Sequence, residues 1–366
     1  MGKTTLLRSH LQPEYRYVLL EDPDTRQLAI EDPRTFLARY PAPLVIDEFQ
    51  YAPELTSYLQ GLVDERRSQP GQYVLTGSQN FEMMAKVTQS LAGRAGILSL
   101  YGLSTRELGF TDAQLSEEGT IARLILRGSY PELWANPKAD AGAWFGSYLR
   151  TYLERDVRGL AQVGDLAAFE RFVRLCAIRT GQILNISDLA RDAGVSPPTA
   201  KHWLSLLIQT YQVHLVEPFY ENLSSRVRKA PKLYFVDVGL AAYMMGFRFA
   251  ESLVAAPQWG ALFETLVLGE FLRATSASGE VPEHYYLHAR ASFELDLMVQ
   301  DEGKWRLIEI KYGRTIAPDR FRQLQKGAKS LGPDRVRTAT LLAPIPEPIE
   351  HQDARAIPWA SAFDRR

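Results

Sequence analysis

The chain has 366 residues, of which 46% are hydrophobic and 23% are charged, so it is long enough for two or three domains and has a globular composition. That composition excludes a disordered or fibrous chain. Lysine and arginine number 42 against 43 aspartate and glutamate residues, so a nucleic-acid site would have to be a local patch.

The cysteine and histidine content and the lengths of the apolar runs exclude further classes of protein. Cys176 is the single cysteine, which excludes an internal disulfide and a cysteine-based zinc site. The six histidines show no HxxxH or HxH spacing, so we expect no other zinc site. No apolar run approaches the roughly 18 residues of a membrane-spanning helix. We therefore predict a soluble, cytoplasmic protein without a membrane partner.

The first residues match the second half of a phosphate-binding loop. Gly2 to Thr5 reads GKTT, as in GxxxxGK[ST], and an apolar helix follows directly. In such a loop, backbone N–H groups at a helix N-terminus hold phosphate oxygens. Lys3 would reach the terminal phosphates, and the Thr4 hydroxyl would bind Mg²⁺. The first glycine of the motif would lie upstream of Met1, so this sequence lacks the glycine-rich arc.

Residues 43–55, PLVIDEFQYAPEL, predict the other half of a nucleotide site. They read as a buried apolar strand that ends in Asp47 and Glu48. Asp47 would hold the water shell of Mg²⁺, and Glu48 would polarise the attacking water. A further strand, QYVLTGSQN, ends in Thr76 and Ser78, whose hydroxyls could sense the γ-phosphate and that water.

Arg94 follows a glycine in SLAGRAGILSLYG and precedes another predicted apolar strand. Its guanidinium could neutralise charge that develops on the phosphate. Each signal also has a plainer interpretation, since acidic residues often only cap a strand end and a lone arginine often only forms a salt bridge. Their conjunction in this order favours a P-loop ATPase.

Residues 2–108 also resemble a known family. GKTTLL, LVIDEFQYAPEL, YVLTGSQNF and SLAGRAGILSL occur in the order typical of AAA-type ATP-binding proteins of bacteria and archaea that carry a C-terminal domain of unknown function. The resemblance implies that the chain binds ATP with Mg²⁺. The residues that match the nucleotide-binding positions are Gly2, Lys3, Thr4, Thr5 and Asp47.

The next segment turns helical. The runs RLILRGSYPELW and WFGSYLRTYLERDVRGL repeat apolar and aromatic residues at helical spacing, which predicts a helical lid domain over residues 109–164. Gly128 and Pro131 suit a tight turn between helices. Packing is the simpler role for the side chains of this region.

Residues 166–237 predict three helices and a β-hairpin, the arrangement of a winged helix. Gly194 suits the turn between helices, Ser196 the cap of the third helix and Pro197 its first position. In a DNA reader the third helix enters the major groove, and the loop between the strands follows the phosphates. The candidate DNA contacts are Lys201 on that helix and Arg226, Arg228, Lys229 and Lys232 in the loop. A solvated loop or a protein-docking module would have the same pattern.

The last third contains a second candidate active site. A helix around residues 263–273 carries Glu264, and period-two alternation places Glu294, Asp296 and Met298 on one face of the strand FELDLMVQ. The same alternation in the strand KWRLIEIKYG places four residues on one face: Trp305, Leu307, Glu309 and Lys311. A turn at Glu302 and Gly303 would set Asp296 opposite Glu309 and Glu294 opposite Lys311.

Adjacent carboxylates with a nearby lysine could bind Mg²⁺ and position an attacking water. This pattern resembles the restriction-endonuclease-like PD-(D/E)xK fold, which implies site roles for Glu264, Asp296, Glu309 and Lys311. An ordinary cross-strand charge ladder, or an inactive nuclease-like binding domain, would leave the same pattern.

The chain is therefore predicted to be an α/β multidomain protein. Its predicted parts are an ATPase core at 1–108, a lid at 109–164, a winged helix at 165–239 and a nuclease-like α/β domain at 240–366. The favoured function is an ATP-driven switch that acts on or with DNA. The chain could form an oligomer. The alternatives are a nucleotide-independent regulator with a degenerate ATPase domain and a metal-dependent nuclease with a regulatory ATPase domain.

Overall fold

The computed structural model describes residues 2–77, 90–153, 165–219, 230–279, 283–289, 293–313, 315–352 and 354–363. The chain is mixed α/β and divides into two compact units, Met1–Leu100 and Tyr101–Arg366. The predicted end of the ATPase core at Leu108 lies beyond this division. The reason is that residues after Leu100 bond within the second unit: the Leu103 N–H donates to the Ser129 carbonyl at 2.7 Å.

The first unit is built on a parallel sheet with the strand order β1-β2-β3. Strand β2 is buried along its whole length, which is why its sequence is a continuous apolar run. The elements in chain order are α1 Lys3–Leu11, β1 Arg16–Leu19, α2 Pro23–Glu31, α3 Pro33–Arg39, β2 Leu44–Asp47, a 3-10 turn Phe49–Tyr51, α4 Leu55–Glu65 and β3 Tyr73–Leu75. The register pairs Leu19 with Asp47 and Ile46 with Leu75, so the carboxyl ends of the strands lie at one edge.

The apolar strand predicted after Arg94 is absent. Residues 95–100 pair with no described strand, and the side chains of Ile97 and Leu98 are 58% and 79% exposed. An apolar run becomes a strand only where a neighbouring strand accepts its backbone hydrogen bonds. Apolar composition alone therefore overpredicted this element.

The second unit begins with helices and a small antiparallel sheet of order β4-β6-β5. Its elements up to residue 254 are α5 Asp112–Leu115, α6 Glu118–Arg127, α7 Pro131–Ala135, α8 Ala141–Tyr152, α9 Leu166–Ile178, β4 Gln182–Ile183, α10 Ile186–Ala193, α11 Pro197–Gln209, β5 Val213–Val216, β6 Lys232–Phe235, α12 Val238–Met244 and α13 Ala250–Val254. The predicted cap is present, since Ser196 Oγ accepts the Thr199 N–H at 3.2 Å. The predicted turn is present too, with Gly194 at φ 73°.

The predicted turn at Gly128 packs against the start of α12. Ser129 donates its N–H and its hydroxyl to Asp237 Oδ2, each at 2.7 Å. A Cβ atom on Gly128 would lie 2.4 Å from Asp237 Oδ1, so only glycine fits at this position.

The C-terminal part is a six-stranded sheet of order β11-β12-β10-β9-β8-β7, parallel at β9-β10-β12 and antiparallel elsewhere. Its elements are α14 Trp259–Ala277, β7 His284–Ala289, β8 Phe293–Asp301, β9 Lys304–Ile310, a 3-10 turn Pro318–Phe321, α15 Arg322–Leu331, a 3-10 turn Pro333–Arg335, β10 Val336–Ala343, β11 Ile349–His351, β12 Ala354–Pro358 and a 3-10 turn Ala360–Phe363. Side chains of α14 and α15 belong to two different apolar clusters, each of which includes side chains of this sheet. None of the helices in the described ranges has the length and apolar character needed to cross a membrane.

Candidate functional site

The N-terminus of α1 meets the carboxyl edge of the first sheet. Gly2 precedes the helix with φ 70°, and α1 begins at Lys3. Lys3 Nζ donates to the Gly77 carbonyl, just beyond β3, at 2.7 Å. Thr4 Oγ1 donates to Asp47 Oδ2, at the end of β2, at 2.6 Å. Three of the predicted nucleotide-site side chains therefore lie together where two parallel strands end.

Asp47 is fully buried and accepts several hydrogen bonds. Besides the bond from Thr4, its Oδ2 receives the Tyr17 hydroxyl from β1, and its Oδ1 receives the Glu48 N–H at 3.0 Å. Burial and the neighbouring carboxylate raise the pKa of Tyr17 above its usual value, so this hydroxyl keeps its proton as a donor. Sequence reasoning missed Tyr17, because no motif marks it and only the register of β1 beside β2 brings it there.

Glu48 has an unusual backbone for a glutamate. Its φ of 56° is in the left-handed region, which costs a non-glycine residue on the order of 1 kcal/mol. Its carboxylate accepts the side-chain amide of Gln50. Nearby, the Thr76 hydroxyl is buried and has no hydrogen-bond partner among the described residues. A strained acidic residue next to Asp47 and an unsatisfied hydroxyl after β3 are polar groups available to a ligand.

Arg94 is not brought to this group of side chains. It forms a two-point pair with Asp64 of α4, with Nε 2.8 Å from Oδ1 and Nη2 2.9 Å from Oδ2. Its action on a phosphate stays a prediction. Ser78 lies outside the described residues.

The hairpin of β8 and β9 forms as predicted. Glu302 and Gly303 form the turn with positive φ angles of 48° and 80°. The paired residues of β8 and β9 begin with Asp301 opposite Lys304 and end with Leu297 opposite Ile308. This register sets Asp296 beside Glu309. Beyond the last paired residues, the Ile310 N–H donates to the Asp296 carboxylate, with Oδ2 2.9 Å from the nitrogen.

The predicted common face of Glu294, Asp296 and Met298 is wrong. Tyr285 pairs with Met298 and Leu287 with Leu295, so β8 has one more residue than β7 in this interval and forms a bulge. The bulge shifts the alternation, and Met298 packs in the same apolar cluster as Leu295. The position of a bulge cannot be read from period-two alternation.

Lys232, a predicted DNA contact, lies in the middle of the acidic residues. Lys232 Nζ is 3.6 Å from Glu264 Oε1, 2.6 Å from Glu294 Oε1 and 3.1 Å from Asp296 Oδ1. Lys232 is only 2% exposed, on the buried strand β6. The predicted DNA contact at Lys232 is therefore wrong, because the side chain is not accessible to a phosphate backbone.

The other predicted DNA contacts have different outcomes. Lys201 is exposed on α11, and Arg226, Arg228 and Lys229 lie outside the described residues. Their contacts with DNA stay predictions.

Lys311 forms the second cationic contact. Its Nζ is 2.8 Å from Glu309 Oε1 and 3.6 Å from Asp296 Oδ2. Glu294 contacts Lys232 and His288 instead, so the predicted cross-strand pair of Glu294 with Lys311 is not formed. We call the four carboxylates Glu264, Glu294, Asp296 and Glu309 with the two lysines Lys232 and Lys311 the acid–lysine cluster.

Burial and neighbouring charges shift the pKa values of Glu264, Asp296 and Glu309 in different directions. Burial, followed by the charge of Asp296, raises the pKa of Glu264 to about 7 and that of Glu309 to about 8. Burial acts the same way on Asp296, but the ammonium groups of Lys232 and Lys311 outweigh it and lower the pKa of Asp296. Asp296 is therefore the permanent anion, and Glu264 and Glu309 can hold or release a proton near neutral pH.

A cavity of about 300 Å³ opens beside this cluster. Its lining residues are Glu294, Asp296, Glu309, Lys311, Asp319, Arg320 and Gln323. Glu309 Oε2 and Gln323 Oε1 are buried and lack a hydrogen-bond partner within the part of the chain that the structure describes. The cavity therefore offers unsatisfied oxygens and carboxylates beside the cations of Lys311 and Arg320.

Family profiles match three successive parts of the chain. An AAA domain matches residues 1–109, a domain of unknown function (DUF8612) matches residues 118–251, and another domain of unknown function (DUF4143) matches residues 259–361. Two relatives are "Uncharacterized protein Rv2008c" of Mycobacterium tuberculosis and "Uncharacterized protein Mb2031c" of Mycobacterium bovis. Each is 32% identical over 333 residues, which is 90% of this chain and 72% of the relative. The chain belongs to their family.

The AAA match identifies the first part of this family member as an AAA-type domain, a kind of domain that binds nucleotide. A solved structure, "Crystal structure of protein VC1899 from Vibrio cholerae", is 13% identical and covers 95% of this chain and 94% of its own. Its TM-score of 0.24 is too low to support a shared fold.

The members of the acid–lysine cluster come from two different matched domains. Glu264, Asp296 and Glu309 belong to the third matched domain, whereas Lys232 belongs to the second. Sequence reasoning missed this lysine as a cluster member. A signal was present, since period-two alternation places Lys232 and Tyr234 on one face of β6, and both contact Glu264.

Proposed function

We propose that this protein is a P-loop ATPase that binds Mg²⁺-ATP at the N-terminus of α1 and uses hydrolysis to switch the conformation of its other domains. The observation that carries the proposal is the 2.6 Å hydrogen bond from Thr4 to Asp47. The neighbouring Lys3 reaches the Gly77 carbonyl just beyond β3. A hydroxyl and a carboxylate in this relation are the pair that binds Mg²⁺ in P-loop enzymes. The AAA-domain match over residues 1–109 supports the same assignment.

The side chains divide the chemistry among themselves. Lys3 would hold the terminal phosphates, and the oxygens of Thr4 and Asp47 suit Mg²⁺, a hard cation that prefers oxygen ligands. When bound, the metal neutralises charge on the phosphates. Glu48 would accept the proton of the attacking water, and the Thr76 hydroxyl would bind that water or the γ-phosphate. Tyr17 would keep the Asp47 carboxylate oriented.

Replacing Lys3 with alanine tests nucleotide binding. We expect K3A to weaken ATP affinity about tenfold to a hundredfold, because a charge-assisted contact to phosphate is lost. A fluorescent ATP analogue titrated against both proteins measures the change. K138A removes an exposed lysine far along the chain and should leave affinity unaltered. Equal affinities of K3A and the wild type would refute the phosphate-site assignment.

We propose DNA as the macromolecule that the switch acts on. Helices α9, α10 and α11 with the sheet β4-β6-β5 have the element order of a winged helix. Lys201 and His202 are exposed near the start of α11, where such a module contacts the major groove. Arg226, Arg228 and Lys229 would add phosphate contacts.

A metal-dependent nuclease is the second candidate function. The observation that favours it is the meeting of Glu264 on α14 with Asp296 on β8, Glu309 on β9 and Lys311 directly after β9. Asp296, Glu309 and Lys311 line the cavity. Carboxylate oxygens suit Mg²⁺, which would lower the pKa of a bound water when present. Lys311 would position that water or the scissile phosphate, and Arg320 at the cavity would contact the phosphodiester.

Replacing Asp296 with asparagine tests this second function. Asparagine keeps an oxygen for the Ile310 N–H but removes the permanent anion, so we expect cleavage to fall roughly a hundredfold. Nicking of supercoiled plasmid with Mg²⁺ or Mn²⁺ measures it. D334N changes an exposed aspartate and should have no effect. Cleavage that persists unchanged in D296N would rule out this site.

A further inference from the structure

Lys232 occupies the centre of three carboxylates that come from two other elements. Its Nζ lies within 3.6 Å of oxygens of Glu264 on α14 and of Glu294 and Asp296 on β8. At 2% exposure, it is more deeply buried than any lysine on a solvated face would be. A lysine that is buried to this extent needs its carboxylates, because an unpaired ammonium in this position would be very unfavourable.

The Lys232 ammonium lies against Glu264 and Asp296, two of the carboxylates that the second candidate function assigns to a divalent cation. Mg²⁺ requires oxygens at about 2.0–2.1 Å, whereas the carboxylates surround Nζ at 2.6 to 3.6 Å. Across the described ranges, no group of three or more His, Cys, Asp or Glu side chains is arranged to hold a metal ion. The carboxylates of the acid–lysine cluster are spaced for an ammonium and not for a metal.

One oxygen of the cluster nevertheless points to a missing ligand. Glu309 is only 3% exposed and lines the cavity, yet its Oε2 has no hydrogen-bond partner among the residues that are described. A buried carboxylate oxygen without a partner costs on the order of 1–3 kcal/mol. Lys311 Nζ lies 2.8 Å from the other oxygen, Oε1, so a further cation that reaches Oε2 from the cavity would satisfy it.

We propose that Lys232 is a built-in cation that keeps a divalent-metal site of Glu264, Asp296 and Glu309 closed. This inference rests on the second function proposed above, because it concerns the regulation of the same site. Lys232 comes from the DUF8612 region and the carboxylates from the DUF4143 region. Metal loading is thereby coupled to the position of the sheet that contains β6. Withdrawal of the ammonium leaves the carboxylates free to close around a metal.

Replacing Lys232 with methionine in the full chain tests the proposal. Methionine keeps the unbranched stem and removes the charge, so the carboxylates lose their internal cation. We expect Mn²⁺ affinity, measured by calorimetric titration without nucleotide or nucleic acid, to rise at least about tenfold. Adding E309Q to K232M should abolish the gain. K138M, which removes an exposed lysine, should bind Mn²⁺ as the wild type does.

A second variant guards against misfolding of K232M. K232M/E294Q removes one positive and one negative charge, so the net charge of the acid–lysine cluster stays as in the wild type. Circular dichroism checks that it folds, and the same gain in Mn²⁺ affinity is expected. Mn²⁺ affinity equal to that of the wild type, or a gain that survives E309Q, would overturn the proposal.

The wild-type protein supplies an independent measurement. Lys232 should resist an amine-acylating reagent without metal and react at least about tenfold faster in saturating Mn²⁺, because the metal displaces its ammonium. Lys201 serves as the exposed internal standard in mass spectrometry. Unchanged reactivity of Lys232 would also overturn the proposal. A gain in Mn²⁺ affinity without DNA cleavage would remove only the nuclease function, whereas wild-type cleavage without the gain would remove only the role of Lys232.

Discussion

Replacing Glu48 with glutamine is expected to lower Mg²⁺-dependent ATP turnover by about 10²–10⁴-fold, the usual contribution of a general base. Glutamine keeps the size of the side chain and its place next to Asp47, but it cannot accept the proton of the attacking water. The hydrogen bonds from Thr4 to Asp47 and from Lys3 to Gly77 do not involve Glu48. ATP affinity should therefore change little while turnover falls.

Phosphate release at saturating Mg²⁺-ATP measures this effect, together with the affinity of a fluorescent analogue. E65Q is the matched control, since Glu65 ends α4 and is exposed. Turnover should be measured with and without duplex DNA, because the proposed partner could stimulate it. If E48Q retains turnover comparable to E65Q, Glu48 is not the base, and absence of turnover in the wild type under both conditions would favour a regulator.

Replacing Glu270 with alanine is expected to destabilise the second unit by about 3–5 kcal/mol. Glu270 and Arg273 form a buried pair, 6% and 7% exposed, with Arg273 Nη2 2.8 Å from Glu270 Oε1. The same carboxylate accepts the Thr105 N–H at 3.1 Å and the Thr105 hydroxyl at 3.1 Å. The alanine variant leaves a buried guanidinium without its anion and a buried backbone N–H without its acceptor.

Tryptophan fluorescence during urea unfolding isolates this effect. All six tryptophans follow residue 100, so the signal reports the second unit alone. E270Q keeps one acceptor oxygen and should lose less stability, and E251A removes an exposed glutamate and should lose almost none. A midpoint for E270A equal to that of E251A would show that the pair contributes nothing to the stability of this unit.

The amino-acid sequence determined the elements whose signals are local. The buried strand that ends at Asp47, the helix that begins at Lys3 and the cap at Ser196 each follow from neighbouring residues. The register that sets Asp296 beside Glu309 follows from the turn at Glu302 and Gly303, since a two-residue turn allows only one pairing. These elements were predicted correctly for that reason.

Tertiary structure alone decided the contacts between segments that are distant in the chain. The Tyr17 hydroxyl reaches Asp47 through the register of two parallel strands, and Arg94 pairs with Asp64 of another helix. Lys232 looked like the end of a basic loop, yet β6 carries it into the carboxylates of α14 and β8. Hydrophobic period and turn chemistry specify which face of an element is buried. Which partner lies against that face depends on the packing of the whole domain, and a single sequence carries no local signal for it.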